Sequence, residues 1–226
     1  MSVPPAEAPA DVPAEIPAGT PAPGRTVYLA GDLVFRPDAL SLFGRFRTIC
    51  REAGLVGLAP LDGQEAVLGL APGEETLLAI VAADRALMDR CDAGLFCLDP
   101  FRRAADMDPG TAVEIGYMFA QGKPLFGYTA DGRGYPDKVA AYMRAAWGEP
   151  LRPRAPLGLG GASGGMEDAD GILVHSEGMV QNGMTEGFIR FSGGRVFAHP
   201  DLEEAFRQAA MALAARLGPQ ASGSGA

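Results

Sequence analysis

The strongest constraint on the fold is an alternation. From Arg25 onward, short β-branched and apolar runs take turns with longer segments whose apolar residues recur every three or four positions. That is the pattern of strands feeding crossover helices in a parallel sheet. It predicts strands at 26–30, 56–60, 93–98 and 124–128, with a short last one at 195–198. Helical spacing covers 39–53, 74–91 and 111–121. A closing helix at 201–217 would bury Leu202, Phe206, Ala209, Leu213 and Leu217, and its first turn holds Glu203 and Glu204, where the dipole favours acids. The chain is therefore expected to be α/β, and its 226 residues amount to one domain of 25–218 with trimmings. Residues 1–24, with Pro4, Pro5, Pro9, Pro13, Pro17, Pro21 and Pro23, cannot form a regular helix or ladder and read as a disordered tail; 219–226 reads as a loose end. The stretch 132–165 holds Gly158, Gly160, Gly161, Gly164 and Gly165 and reads as the least orderly internal segment, a lid or an insertion.

Charge removes several function classes. A formal charge of −9 offers nothing to phosphate backbones or anionic lipid surfaces, so nucleic-acid polymers and membranes are not expected partners. No run of about eighteen apolar residues is present to cross a bilayer, and the N-terminus lacks the basic start and apolar core of a signal peptide, which predicts a cytoplasmic protein. The three cysteines, Cys50, Cys91 and Cys97, lie in apolar or helical pattern and fit buried, reduced thiols. With two histidines, His175 and His199, and no cysteine pair at ligand spacing, no metal site is expected.

The densest chemistry is Asp106-Met107-Asp108-Pro109-Gly110-Thr111-Ala112-Val113-Glu114-Ile115-Gly116, which follows the 93–98 strand and opens a helix. Ligands of open α/β sheets sit beyond the strands' carboxyl ends, so a carboxylate early in that helix points into the crevice. Glu114 is read there, in the first turn, with the positive end of the helix keeping it ionised as a nucleophile or cation stabiliser. An ordinary reading, with Asp108 as an N-cap and Glu114 as a solvated acid, accounts for the same residues without chemistry. Asp84 falls on the apolar stripe of Leu77, Ile80, Val81, Leu87 and Met88, where a carboxylate is costly unless paired or used. Tyr28 precedes a small-residue turn, Ala30-Gly31-Asp32, at a strand end where a ligand can approach the backbone. No phosphate loop is present, because Gly122-Lys123-Pro124 ends a helix, and His175 has no serine elbow to serve.

Together these segments resemble the nucleoside 2-deoxyribosyltransferase family. The resemblance rests on Val27-Tyr28-Leu29-Ala30-Gly31 with Val34-Phe35; on Pro60-Leu61-Asp62 with Gln64; on the run from Asp108 to Gly116 with Gly122-Lys123-Pro124; and on Asn182-Gly183-Met184, with Asp84 at the family's distance before Asp92. Two departures stand out: Asp32 follows the Ala-Gly turn where the family has proline or another neutral residue, and the glycine-rich stretch before Asn182 is longer and more irregular. The resemblance implies a single flavodoxin-like, Rossmann-like domain with a mainly parallel sheet. It also implies transfer of 2-deoxyribose between nucleobases. Glu114 would match the nucleophile at C1′, Asp84 and Asp108 the carboxylates that hold and protonate the base, and Tyr28, Gln64 and Gly31 the pocket. Asn182 and Met184 would match residues reaching a neighbouring subunit's pocket, the Asn towards the 5′-hydroxyl, in dimer-based or hexameric homo-oligomers.

The chemistry fits this implication. Expelling a base from C1′ passes through an oxocarbenium-like transition state, which wants one ionised carboxylate at the sugar and one proton donor at the base. Glu114 at its helix end and Asp84, its pKa raised by apolar surroundings, would supply those opposite tendencies. The resemblance implies deoxynucleosides and free nucleobases as substrates, and the chemistry is expected to need no metal or organic cofactor. Two other readings compete: a hydrolase acting on deoxynucleoside 5′-monophosphates, which would want a cationic cradle that Asn182 and Met184 do not offer, and a non-catalytic nucleotide-sensing module, which has little reason to tolerate three crowded acids.

Overall fold

The computed structural model describes residues 24–63, 67, 69–155, 165–176 and 178–218. The expected tails therefore lie, Gly24 apart, outside the described residues, and so does Gln64. In chain order the elements are β1 (Arg25–Ala30), α1 (Ala39–Glu52), β2 (Leu55–Leu58), α2 (Glu74–Arg90), β3 (Ala93–Cys97), α3 (Pro109–Ala120), β4 (Leu125–Thr129), α4 (Tyr135–Trp147), β5 (Arg152–Pro153), β6 (Met166–Glu167), β7 (Leu173–Val174), α5 (Gly183–Phe191), β8 (Val196–Ala198) and α6 (Leu202–Leu217). Five strands form one sheet in the order β2-β1-β3-β4-β8. All its pairings are parallel, with Tyr28 opposite Leu58 on one side and Gly94 on the other. This is the flavodoxin-like order, whose switch point lies between β1 and β3.

Strands buried on both faces must be apolar throughout, and β3 and β4 are buried at every position. One face of the sheet packs on α1 and α6 through a core that includes Leu42, Phe46, Ile49, Phe206, Ala209 and Leu213. There Phe46 and Phe206 stack at 3.9 Å. The other face packs on α2, α3 and α5 through Leu87, Met88, Ile115, Met118 and Ile189, and Phe119 stacks on Phe188 at 4.4 Å. Cys50, Cys91 and Cys97 are buried free thiols.

Two parts of the sequence reading need correction. The first half of the stretch 132–165 holds a regular helix, α4, closed by Gly148 in the left-handed conformation at φ 71°, while Gly158, Gly160, Gly161 and Gly164 lie outside the described residues. The buried residues of α4 are Tyr135 and Lys138, and a lysine on the inner face erases the apolar stripe by which a helix is recognised. Beyond it, β5, β6 and β7 form a small antiparallel sheet. The stripe on α2 is also not a core face along its length. Leu87 and Met88 are buried, whereas Leu77 and Val81 are 63% and 64% exposed. Asp84 is half-buried between them.

Among the described residues, no helix is long and apolar enough to cross a membrane, and no group of three or more His, Cys, Asp or Glu side chains is placed to hold a metal ion.

Candidate active site

At the switch point, β1 ends on Gly31, whose φ of 151° and close packing suit only a residue without a Cβ. A Cβ there would lie 2.5 Å from that of Cys97. The close approach of β1 to β3 leaves a crevice above them. The crevice is a cavity of about 300 Å³ lined by Gly31, Val34, Phe35, Pro60, Leu61, Ile80, Asp84, Asp108, Gly110, Thr111 and Glu114. It falls at the lower end of the size range for small-molecule sites. Three carboxylates converge on otherwise largely apolar walls. A second cavity of about 310 Å³ lies between α1 and α6, but its carboxylate, Glu52, is tied to Arg207.

Each acid is held by a different element. Asp108 caps α3, its Oδ2 accepting from the Thr111 N–H at 2.8 Å and the Thr111 hydroxyl at 3.0 Å, with Pro109 at the first helical position. Capping and lining the pocket are thus compatible in one side chain. Glu114 lies in the second turn of α3, a turn further in than the sequence reading placed it. The helix dipole acts over about one turn, so burial decides its ionisation instead. Desolvation, reinforced by Asp84 and Asp108, pushes the Glu114 carboxyl up to about 7, against a hydrogen bond from Tyr28 that pulls it down. The expectation of a Glu114 held ionised by the helix end is therefore overturned. Asp84 comes from the middle of α2 and faces the same cavity.

Tyr28 is fully buried on β1 beneath the cavity and does not line it. Its hydroxyl donates to Glu114 Oε1 at 2.6 Å. Burial and the neighbouring carboxylate raise the phenol far above its usual range, so it stays a donor. Asp32 is not among the residues that line the cavity; burial, with Asp99 and Asp108 nearby, pushes its carboxyl up to about 6.

Glu114, Asp84, Asp108 and Gly31 are thus brought together, with Tyr28 directly below. Asn182 and Met184 are not in this cavity. They start α5, where Asn182 Oδ1 caps the helix by accepting from the Met184 N–H at 2.9 Å, and the Met184 side chain is 64% exposed. Sequence reasoning missed Ile80 and Thr111 as walls, and it missed the buried polar set Tyr135, Lys138, Gln181 and Glu186 behind Asn182. The signal for the latter lay in the residue types, since a Lys and a Glu on inner helix faces need partners, but their faces are not legible before the helices are. Lys123, in the Gly-Lys-Pro segment, donates to the carbonyls of Met88 and Asp89 at 2.6 and 3.1 Å, so it closes the end of α2.

A family model described as nucleoside 2-deoxyribosyltransferase matches residues 27–184. An uncharacterised protein of Schizosaccharomyces pombe is 63% identical over 194 residues, spanning 86% of this chain and 90% of its own length. Among solved structures, a 2-desoxiribosyltransferase from Leishmania mexicana superposes with a TM-score of 0.53 at 27% identity, covering 82% of this chain and 97% of that one.

Proposed function

Because the chain belongs to the nucleoside 2-deoxyribosyltransferase family, we propose that it moves 2-deoxyribose from one nucleobase to another through an ester on Glu114. The observation that carries this reading is the short Tyr28–Glu114 hydrogen bond of 2.6 Å at the base of a cavity that also holds Asp84 and Asp108. With Oε1 occupied by the tyrosine, Oε2 is the oxygen left to attack C1′. In the first step the C1′–O bond forms as the C1′–N bond breaks, and a proton passes from Asp84 or Asp108 to the departing base. The second base reverses these events, and two displacements on one face retain the anomeric configuration. A carboxyl with an elevated pKa is a stronger nucleophile than an ordinary one, provided it is ionised when substrate arrives.

The deoxynucleoside and the acceptor base are the only partners this chemistry needs, and it proceeds without metal or cofactor. Asn182 and Met184 lie outside their own chain's cavity, which supports a homo-oligomer, dimer-based or hexameric, in which each chain lends them to a neighbour's site. We place the enzyme in the cytoplasm, where free bases and deoxynucleosides are exchanged in salvage.

The test is incubation with 2′-deoxyinosine, with and without adenine. Formation of 2′-deoxyadenosine is the expected result. Free deoxyribose alone would make the protein a hydrolase, and no turnover would leave it a binding module; either overturns the transferase reading.

A further inference from the structure

Among the described residues, the walls of the active-site cavity hold three carboxylates and no cation. The loop between β3 and α3, which ends on Asp108, carries two cations that the chemistry has not used. Arg102 and Arg103 are both exposed, and among the described residues neither forms an ion pair. Both also hold left-handed backbone, with φ of 51° and 64°. A residue with a Cβ adopts that region at a cost, and two in succession persist only where the surroundings enforce them. Here the Phe101 N–H donates to the Asp106 carbonyl at 2.8 Å and the Ala104 N–H to the Phe101 carbonyl at 2.9 Å, so the loop closes on itself. Ala105 and Met107 are buried and anchor it. The fold thus holds two arginines on a tight, strained turn and keeps both facing solvent.

One of the two is linked to the cavity by contacts. The ring of Phe35, a cavity wall, has its centre 5.8 Å from that of Phe101. The Arg102 guanidinium lies over the Phe101 ring, 4.6 Å from its centre. Cavity wall, second ring and cation therefore form one row. A cation over a ring near the surface is held weakly, and one ring-to-ring step of 5.8 Å is within the sweep of an arginine's long, flexible side chain. What such a group selects follows from its hydrogen bonds. A guanidinium only donates, through a fork of parallel N–H groups. A 6-oxopurine presents two acceptors side by side, O6 and N7, whereas a 6-aminopurine sets a donor NH₂ in place of O6. An ionised Asp84 or Asp108 only accepts, so neither can make the contact to O6 and N7.

Resting on the transferase reading above, with Asp108 at the base, we propose that Arg102 determines base specificity, selecting 6-oxopurines over 6-aminopurines by a forked hydrogen bond to O6 and N7. The base lies against Phe35, and the guanidinium moves from Phe101 to the edge of the base. There it also stabilises the negative charge that builds on a departing purine. Arg103 carries the same charge and the same backbone conformation one residue on, and serves as its control.

The experiment measures identity exchange, so that each base is read alone: 2′-deoxyinosine with labelled hypoxanthine, 2′-deoxyadenosine with labelled adenine, and thymidine with labelled thymine. The proteins are wild type, Arg102→Ala, Arg102→Lys and Arg103→Ala. Wild type should exchange hypoxanthine with a kcat/KM at least about tenfold above that for adenine. Arg102→Ala should lower hypoxanthine exchange about ten- to a hundredfold and leave adenine exchange within about twofold, which also shows that the variant is folded. Arg102→Lys keeps the charge without the fork and should recover little of the loss. Arg103→Ala should keep the wild-type preference. A wild type without that preference, an Arg102→Ala that impairs both purines alike or neither, or an Arg103→Ala that matches it would overturn the role of Arg102 and leave the transferase reading standing. Exchange of thymine but of neither purine would do the same. If no base exchanges at all, the transferase reading fails first and the role of Arg102 falls with it.

Discussion

A carboxyl asked to act as a nucleophile must be ionised, and Glu114, raised to about 7 by burial and two neighbouring acids, is only half so at neutral pH. In the proposed reaction kcat/KM should therefore fall about tenfold per pH unit below 7, measured by base exchange between pH 5 and 9. Tyr28→Phe removes the one hydrogen bond that stabilises the charge, so it should move that limb to higher pH; an unmoved limb would assign the titration to another group. Glu114→Ala should lose at least about 10³-fold in exchange, and a 2-fluoro-2-deoxyarabinosyl nucleoside should leave its sugar on the peptide holding Glu114, located by mass spectrometry. The same elevation has a cost in stability. Between 4.5 and about 7 the folded protein holds a proton on Glu114 that the unfolded chain has released, and Asp32 does likewise between 3.8 and about 6. Stability should thus decline as pH climbs through those windows and level off above them. Glu114→Gln and Asp32→Asn should each raise the unfolding free energy, read by urea denaturation at pH 8, by about 1–2 kcal/mol, with little change at pH 4. The residue types of this site were readable from the sequence, but their ionisation was not. One turn of helix separated the expected Glu114 from the observed one, and that turn exchanges a dipole-dominated position for a desolvated one.

At the scale of elements, the sheet was legible because parallel strands covered on both faces are largely apolar runs, as 93–97 and 125–128 are. Helices were legible where one apolar face meets the core, as in α1 and α6. Two failures have one cause, that a face is defined by what it packs against. The inner face of α4 carries Lys138 and Tyr135, which are bonded to Val180 and Asp106 and so need no apolar pattern. The apolar stripe of α2 has little to pack against over its first half. The β1 end is the least forgiving element of the site. Gly31 sits where φ is 151° and where a Cβ would fall 2.5 Å from Cys97, so Gly31→Ala combines backbone strain with a clash between two strand ends. It should cost about 2–4 kcal/mol of unfolding free energy, read by urea denaturation. Gly44, on the exposed side of α1 with open space around it, should gain slightly on the same change, because alanine is the better helix former. Equal effects at the two positions would mean that β1 and β3 can separate without loss.

On the scale of the whole molecule, the helices that carry the proposed catalytic acids also turn apolar side chains towards water around the cavity. Leu77, Leu78 and Val81 on α2, Val113 on α3 and Phe35 at the cavity wall are all exposed in the single chain. Such a concentration is unusual on a monomer's surface and normally marks a contact with another macromolecule. A closed assembly of this chain would cover it and would also bring a second Asn182 to the cavity mouth, which links the apolar face to the composite site proposed above. Mixing two inactive chains puts that link to the test. Glu114→Ala retains a working Asn182 but no nucleophile, and Asn182→Ala retains the nucleophile but cannot hold the 5′-hydroxyl. In a hybrid dimer, one site combines Glu114 from the second chain with Asn182 from the first and is intact, while the other site lacks both. Random reassortment of equal amounts places half of the dimers in hybrids, each with one working site of two, so activity should return to about a quarter of wild type. If each chain used its own Asn182, every hybrid site would still lack one of the two groups and no activity would return. Subunit exchange, followed by native mass spectrometry of differently tagged chains, must be complete before the assay. Confirmed hybrids without recovered activity would place Asn182 in its own chain's chemistry or outside it, and would require another role for the apolar face of α2.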